Sequence, residues 1–424
     1  MDSDERAAIV VDDFTPSRRS LRLAVTTETY PPEVNGVATT VASLVAQLRA
    51  RGHEVQLVRP RQPRSDGAQA GNGGDLLLHG VPIPRYPQLQ LGLPARRALL
   101  RQWSLKPPDL VHVCTEGPLG WSAVQAARQL RLPVTSDFRT NFHAYSGHYG
   151  VGWLARPILS YLRKFHNRCD STMVPTERLA AELRALRFVG VTVVGRGVDR
   201  ARFDPAWRSA ELRRAWRADD DTPVALYVGR LAPEKNLGLV LEAYAAMRGA
   251  RPDTRLVLVG DGPERATLQA RCPQAIFAGM QHGTALAQHY ASADVFLFAS
   301  LTETYGNVTA EALASGLAVV AFDHAAAGQL IRDGSNGRLA PPADRAAFVA
   351  CTRELAADAG LRARLRAQAG ASVRDAGWEA VAAQVEAHWL ALLGGRQAAI
   401  RAAAAPASDA GDAAIAPLPR PMPK

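Results

Sequence analysis

The sequence predicts an α/β protein made of two halves of similar size, each a parallel sheet covered by helices. Three observations carry this. Short apolar strands alternate with amphipathic helices from residue 21 onward, the pattern of repeated strand–helix units in a parallel sheet. The alternation pauses at residues 195–205 (GRGVDRARFDP), which read as a linker, and starts again at 223. The length, 424 residues, fits two domains at roughly 100–200 residues each.

Taken in order, residues 21–27 (LRLAVTT) read as a strand, 30–36 (YPPEVNG) as a turn and 37–51 as a helix, with Val37, Val41, Leu44, Val45 and Leu48 on one side. Gly52 ends that helix, and 55–58 form the next strand. Residues 60–74 are rich in Pro and Gly and read as a mobile loop. Strands follow at 109–113, 134–136, 172–174 and 191–194, with helices at 119–130, 151–165 and 176–186. In the second half, strands are expected at 223–228, 256–259, 295–298 and 318–321, and helices at 237–248 and 308–315. Two long helices, 343–368 and 378–393, close the pattern, and the Ala- and Pro-rich residues beyond 394 read as a disordered tail. No solenoid-like repeat is present.

Hydrophobic residues make up 47% and charged residues 21%, the range of a soluble globular chain and not of a disordered or fibrous one. No apolar run reaches the roughly 18–20 residues of a membrane span, and the first twenty residues lack the apolar core of a secretory signal. The four cysteines lie far apart with no CxxC, which argues against a disulfide framework or zinc site and for a reducing cytosol. The net charge of +10 is uneven: residues 1–200 hold 26 basic and 17 acidic side chains, the remainder 24 and 23. Such asymmetry points to an anionic partner of the first half. Only four of the 50 basic residues are lysine, so arginine richness by itself carries little weight.

Three constellations can carry chemistry. Pro31–Gly36 (PPEVNG) lies between a strand and a helix, where an open α/β sheet binds ligands; Gly36 would let a phosphate approach the backbone at a helix N-terminus. In GRLAPEKN (229–236), Arg230 and Lys235 follow a strand and can converge on one anion, the first as a planar fork and the second as a point charge. In ETYGNVTAE (303–311), Gly306 and the free N–H groups of Asn307, Val308 and Thr309 open a helix, flanked by Glu303 and Glu311. Two acids beside an anion hole suit the hydroxyls of a sugar and a ribose, although acids also cap helices.

The ordered set of Gly36 in PPEVNG, GRGVD, GRLAPEKN, VGDGPE (259–264) and Glu303-x7-Glu311 resembles the retaining, nucleotide-sugar-dependent glycosyltransferases of family four over about residues 21–390. The wordings ETYPPEVNGVA, DFRTNFHAYSGHYG and LTETYGNVTAEALASG are most similar to the bacterial GDP-mannose-dependent α-mannosyltransferase branch, with sulfoquinovosyl-lipid synthases as neighbours. The resemblance implies a GT-B fold: two Rossmann-like domains facing across a cleft, with a C-terminal helix crossing back to the first. It divides the chain into a flexible N-terminus (1–20), an acceptor-side domain (21–200), a nucleotide-sugar domain (201–377), a crossover helix (378–394) and a disordered tail (395–424).

It also implies roles. Arg230 and Lys235 would bind the donor diphosphate and stabilise the leaving charge, which is the main physical demand of the reaction. Glu303 would hold the transferred sugar and Glu311 the ribose. Gly306, Asn307, Val308 and Thr309 would contact the phosphates by their amides, Gly36 would close over them, and Gly279 and Met280 would lie near the base. Neither a metal nor a cofactor beyond the nucleotide-sugar co-substrate is implied. One departure stands out: the family commonly has His-Thr near residues 134–138, whereas Arg139 stands here in the His position. Arg139, His143 and Glu116 are therefore the candidates for sugar or acceptor contact; arginine cannot serve as a base.

The implied partners are a nucleotide-sugar donor and a lipid or glycan acceptor. Helix 151–165, with Trp153, Tyr161, Arg156, Arg163 and Lys164, and a patch of Trp103 with Arg96, Arg97, Arg101 and Lys106, could meet an anionic membrane surface; core packing is the competing reading of the helix. A cytoplasmic protein, peripheral at the inner membrane face, is the corresponding location. Nucleic acid is not expected, since neither stacking motifs nor a recognition helix occurs. Asp219-Asp220-Asp221 reads as a solvated run rather than a metal-binding DxD, and His112, Cys114, His143, His148, His166 and Cys169 lack zinc-like spacing. A UDP-sugar-dependent glycolipid synthase, a GT-B UDP-sugar epimerase and a non-catalytic sugar-binding relative are the alternatives.

Overall fold

Strand β1 (Arg22–Thr26) is buried on both faces, Leu23 and Val25 packing to one side and Ala24 to the other, as a central strand of a two-sided parallel sheet must be. The structure, a computed structural model, describes residues 20–33, 35–62, 66, 74–83, 86–139 and 155–404. In the first half β1 is followed by α1 (Gly36–Ala50), β2 (Glu54–Pro60), β3 (Leu76–Leu78), the hairpin β4 (Gly80–Ile83) and β5 (Tyr86–Gly92), and α2 (Arg96–Leu105). Then come β6 (Leu110–Val113), α3 (Pro118–Gln129), β7 (Val134–Asp137), α4 (Ala155–His166), β8 (Ser171–Val174), α5 (Glu177–Ala185) and β9 (Val191–Val193). These strands form a seven-stranded sheet in the order β3-β2-β1-β6-β7-β8-β9, with β4 and β5 apart from it.

The second half holds α6 (Ala210–Ala215), β10 (Val224–Val228), α7 (Leu237–Ala250), β11 (Arg255–Val259), α8 (Arg265–Arg271), β12 (Ile276–Gly279), α9 (Gly283–Ser292) and β13 (Val295–Phe298). It continues with α10 (Asn307–Ala314), β14 (Ala318–Phe322), α11 (Ala325–Leu330), β15 (Gly337–Ala340), α12 (Arg345–Ala357), α13 (Ala359–Ala369) and α14 (Trp378–Ala404). Its six-stranded sheet runs β12-β11-β10-β13-β14-β15, every neighbouring pair parallel. Strand order reverses beside β1 and β6 in the first sheet and beside β10 and β13 in the second. Such switch points open crevices at the carboxyl ends of the strands, where open α/β sheets take their ligands.

Helix α14 crosses back to the first half. Val381, Val385, Trp389 and Leu393, spaced by one turn, share a core with Val41, Leu44, Val45 and Leu48 of α1. Polar contacts reinforce the seam: Arg51 Nε donates to Glu386 at 2.8 Å, His53 Nε2 lies 3.4 Å from the same carboxylate, and His388 Nε2 is 2.9 Å from Ser171 Oγ.

Three expectations are corrected. The single helix over 343–368 is two, because Asp358 ends α12 and caps α13, its Oδ1 accepting from Leu361 N at 2.8 Å; a short acid prefers that role to a helix interior. The crossover helix does not stop at 394 but runs through Gly394-Gly395 to Ala404, held by Arg396, which meets Asp170 at 3.2 Å and the Arg131 carbonyl at 2.8 Å. Residues 395–404 therefore leave the expected tail, and 405–424 lie outside the described residues, as do 1–19. Finally, Trp103 is no surface anchor: it is buried, and its Nε1 donates to Gln56 at 3.1 Å. Arg96, Arg97, Arg101 and Lys106 remain exposed around it. In α4, Leu162 and Phe165 are buried while Arg156 and Lys164 are exposed, a packed helix with a basic outer face; Trp153 lies outside the described residues.

Candidate active site

At the second switch point, the loops that leave β10 and β13 are tied together. Lys235 sits in the one-turn segment Pro233–Lys235, and its Nζ donates to Glu303 Oε1, which also accepts from Ser300 Oγ at 3.0 Å. Thr302 Oγ1 donates to the Glu234 carbonyl at 3.2 Å, and Asn236 Nδ2 to the Ala299 carbonyl at 3.3 Å. Arg230 pairs with Glu234, whose carboxylate is buried while the guanidinium is 40% exposed. The two loops thus present one exposed and one recessed cation, each paired with an acid.

Helix α10 starts at the same crevice. Its N-cap, Gly306, has φ +87, a left-handed conformation that glycine adopts without steric cost. The first-turn N–H groups of such a helix have no intrahelical acceptor and carry the positive end of the dipole. Across the cleft, α1 begins at Gly36 behind the cap Asn35, whose Oδ1 accepts from Ala38 N at 2.8 Å. The two helix starts meet: Asn307 Nδ2 donates to Thr40 Oγ1 at 3.2 Å, and a Cβ on Gly36 would lie 3.8 Å from that nitrogen. Thr304 Oγ1 donates to the Arg139 carbonyl at 2.8 Å, a second link between the halves. Of the expected site residues, the structure brings Lys235 and Glu303 together beside Gly306, whose Cβ position lies 3.4 Å from Glu303 Cγ, and sets Gly36 against Asn307; Val308 and Thr309 follow in the first turn of α10, and Arg230 lies on Glu234.

Glu311 lies within α10, and Tyr290 O–H donates to its Oε2 at 2.8 Å. Burial lifts its carboxyl to about 7, against the lowering effects of Tyr290 and Arg202. The neutral form is favoured in the folded state, so this group supports the fold fully below its unfolded pKa near 4.5 and withdraws that support as pH rises through about 7. Glu311→Gln should accordingly be more stable than the parent at pH 8, by on the order of 3 kcal/mol. The gain should vanish near pH 4.5; a pH-independent difference in urea unfolding would contradict it. Gly279 ends β12 at φ +70, and Met280 beyond it is 48% exposed.

A family profile described as Glycosyltransferase Family 4 matches residues 34–202, and one described as Glycosyl transferases group 1 matches 222–358. A GDP-mannose-dependent alpha-mannosyltransferase of Mycolicibacterium smegmatis is 35% identical over 382 residues, 89% of this chain and 99% of that protein. The chain belongs to glycosyltransferase family 4. A sulfoquinovosyl transferase of Arabidopsis thaliana is 30% identical over 76% of this chain and 64% of its own. Among solved structures, Anabaena HepE in complex with UDP-glucose superposes with a TM-score of 0.68 at 16% identity, covering 88% of this chain and 100% of that one. The fold of this glycosyltransferase is thus GT-B.

The Arg139 guanidinium is buried on Asp137, and its carbonyl accepts from Thr304 in the second half. His143 lies outside the described residues. Glu116 is buried, its Oε1 3.4 Å from His166 Nε2, with its carbonyl accepting from Tyr161 O–H. Beside it, burial pushes the Glu28 carboxyl up to about 7 although it accepts from Leu119 N at 2.8 Å. The Asp219 turn is structural, Oδ1 accepting from Thr222 N at 2.8 Å and Thr222 Oγ1 at 2.6 Å.

Spacing alone missed one cluster in this glycosyltransferase. Parallel pairing of β6 with β7 brings His112, Cys114 and Asp137 within 4.8 Å of one another, all buried. Three donor types are present, but Asp137 also faces two guanidiniums, Arg139 and, at 3.5 Å, Arg196. Those cations already compensate its charge, and a divalent ion beside them would meet strong repulsion in a dry site. Burial opposes charge on His112, yet Cys114 and Asp137 outweigh it and lift the imidazole to about 9. The cluster is an ion-pair network that anchors residue 139 and the linker at 196.

Proposed function

We propose that the protein transfers a mannosyl group from GDP-mannose, with retained anomeric configuration, to a lipid or glycan acceptor. The observation that carries the reading is the Lys235–Glu303 pair beside the start of α10, which itself faces the start of α1. In this reading the diphosphate takes Lys235, Arg230 and the amides of Gly306–Thr309, which stabilise the charge that develops on the leaving phosphate. Glu303 holds hydroxyls of the transferred sugar, and Glu311 those of the ribose, most strongly above pH 7 where it is charged. The departing phosphate helps to deprotonate the acceptor on the same face of the sugar, so neither a protein nucleophile nor a metal is required. Gly279 and Met280 border the base, and Glu116 the acceptor side. The mannosyl and guanosine assignments are supported by relatives with those names at 33–36% identity.

The acceptor side falls to the basic first half, whose exposed Arg96, Arg97, Arg101, Arg156, Lys106 and Lys164 suit an anionic acceptor or membrane surface. Among the described residues no helix is long and apolar enough to cross a membrane; a peripheral, cytoplasmic enzyme is the corresponding proposal. A donor screen tests the reading. GDP-mannose should raise the thermal midpoint more than UDP-glucose does, by mass action. EDTA should leave transfer unchanged, and anionic vesicles should co-sediment the protein where neutral ones do not. A larger shift with UDP-glucose would move the assignment to the UDP-sugar glycolipid synthases, and donor turnover without transfer to an epimerase.

A further inference from the structure

Glu33 is a buried carboxylate in the turn between β1 and α1, and its hydrogen bonds tie that turn to Gln62 and to strand β5. Its Oε2 accepts from Thr29 Oγ1 at 2.5 Å; its Oε1 accepts from Gln62 Nε2 at 3.2 Å and from Gln90 N, on β5, at 3.1 Å. Thr29 Oγ1 in turn accepts from Asn35 Nδ2 at 2.7 Å, and Asn35 Oδ1 accepts from Ala38 N at 2.8 Å. The polarity of this relay is forced. A carboxylate only accepts, so the Thr29 hydroxyl must donate to it and offer a lone pair to Asn35. The Asn35 amide then has one orientation, with its nitrogen toward Thr29 and its oxygen on the first turn of α1. A helix cap needs only the last of these bonds; the others fix where the helix start stands, and that start faces Asn307.

We propose that Glu33 is a positioning residue for the donor: through Thr29 and Asn35 it holds the start of α1 at the separation from α10 that the diphosphate requires. The inference rests on reading the crevice between Gly36 and Asn307 as the diphosphate site. Chains of hydrogen bonds ending on a charge act as a unit, so cutting the relay at either point should have one effect. Thr29→Val, which keeps the volume of the side chain and removes both bonds, should weaken GDP binding and raise donor KM about tenfold. The kcat at saturating donor and the acceptor KM should stay within about threefold.

Glu33→Ala should match it, the double variant should be no worse than either single one, and Thr29→Ser, which restores the hydroxyl, should return donor KM to the parental value. GDP calorimetry and steady-state kinetics read these effects. An unchanged donor KM in Thr29→Val, additive single effects, or a Thr29→Ser variant as impaired as Thr29→Val would each overturn the relay. Parental protein that binds neither GDP nor UDP would fail at the earlier step and remove the donor reading together with this one; parental binding with unmoved variants removes the relay alone.

Discussion

Replacing Lys235 by Ala should lower the transfer rate about a thousandfold while the protein stays folded. Lys235 is one of four lysines in a chain of 50 basic residues, and the only cation tied to Glu303 by a described ion pair. A compact ammonium there concentrates its charge where a leaving phosphate would gain it, and a stabiliser of developing charge acts mainly on kcat. Arg230 would not substitute, since its guanidinium is held on Glu234 and is 40% exposed, in contact with screening solvent. The stability cost should be small. Glu303 keeps its bond from Ser300 at 3.0 Å and is 15% exposed, so water can reach the orphaned carboxylate. Steady-state kinetics beside circular dichroism and a melting curve separate the two effects. A folded Lys235→Ala enzyme with parental kcat would remove the diphosphate assignment.

The site was legible in the sequence wherever its chemistry is local. Arg230 and Lys235 stand in one short loop, and Gly306 through Glu311 in one helical start, so spacing alone places them. The strands were legible for the same reason: a two-residue period and its apolar content survive without knowledge of neighbours. What stayed hidden depends on which strands pair. Asp137, Arg139, Arg196 and His112 come together only because β6 and β7 are adjacent and the linker returns over their ends. Glu33 is bonded to Gln62 and Gln90, both far away in the chain. The short β3, and β4 and β5 with their prolines, carry too little periodicity to be seen, and Gly394-Gly395 looked like a stop because the contacts that override it come from Asp170 and Arg131. The surroundings of Arg139 were hidden in the same way. Its sequence position matched a sugar-contact residue, but a buried carboxylate two residues earlier claims the guanidinium.

That claim sets the second large effect: Asp137→Ala should destabilise the protein by about 3–5 kcal/mol. Burial alone would raise the Asp137 carboxyl; Arg139, Arg196 and then His112 outweigh it and hold the group well below the usual carboxylate range. Removing it leaves two guanidiniums, each less than a tenth exposed, with no counter-charge from that position. Burial already drags Arg196 down to about 10 with Asp137 in place, a measure of how poorly the site tolerates charge. The sign of the pH dependence follows from the depressed pKa. The stabilisation is fully present above the unfolded value near 4 and is lost progressively as pH falls from there toward the much lower folded value, so the gap between parent and variant should narrow in acid. Urea unfolding at pH 7 and pH 3 reads the gap and its narrowing; a gap that is the same at both pH values would contradict the charge argument. Asp137→Asn, which keeps the shape and one acceptor, should fall between the two. The effect should also reach catalysis, because Arg139 offers its carbonyl to Thr304 at 2.8 Å, three residues before Asn307. At a temperature where Asp137→Asn is fully folded, its donor KM should rise while a Trp103→Phe variant of comparable stability, distant from that contact, leaves donor KM unmoved. Equal KM values in the two would reduce the network to ordinary core packing.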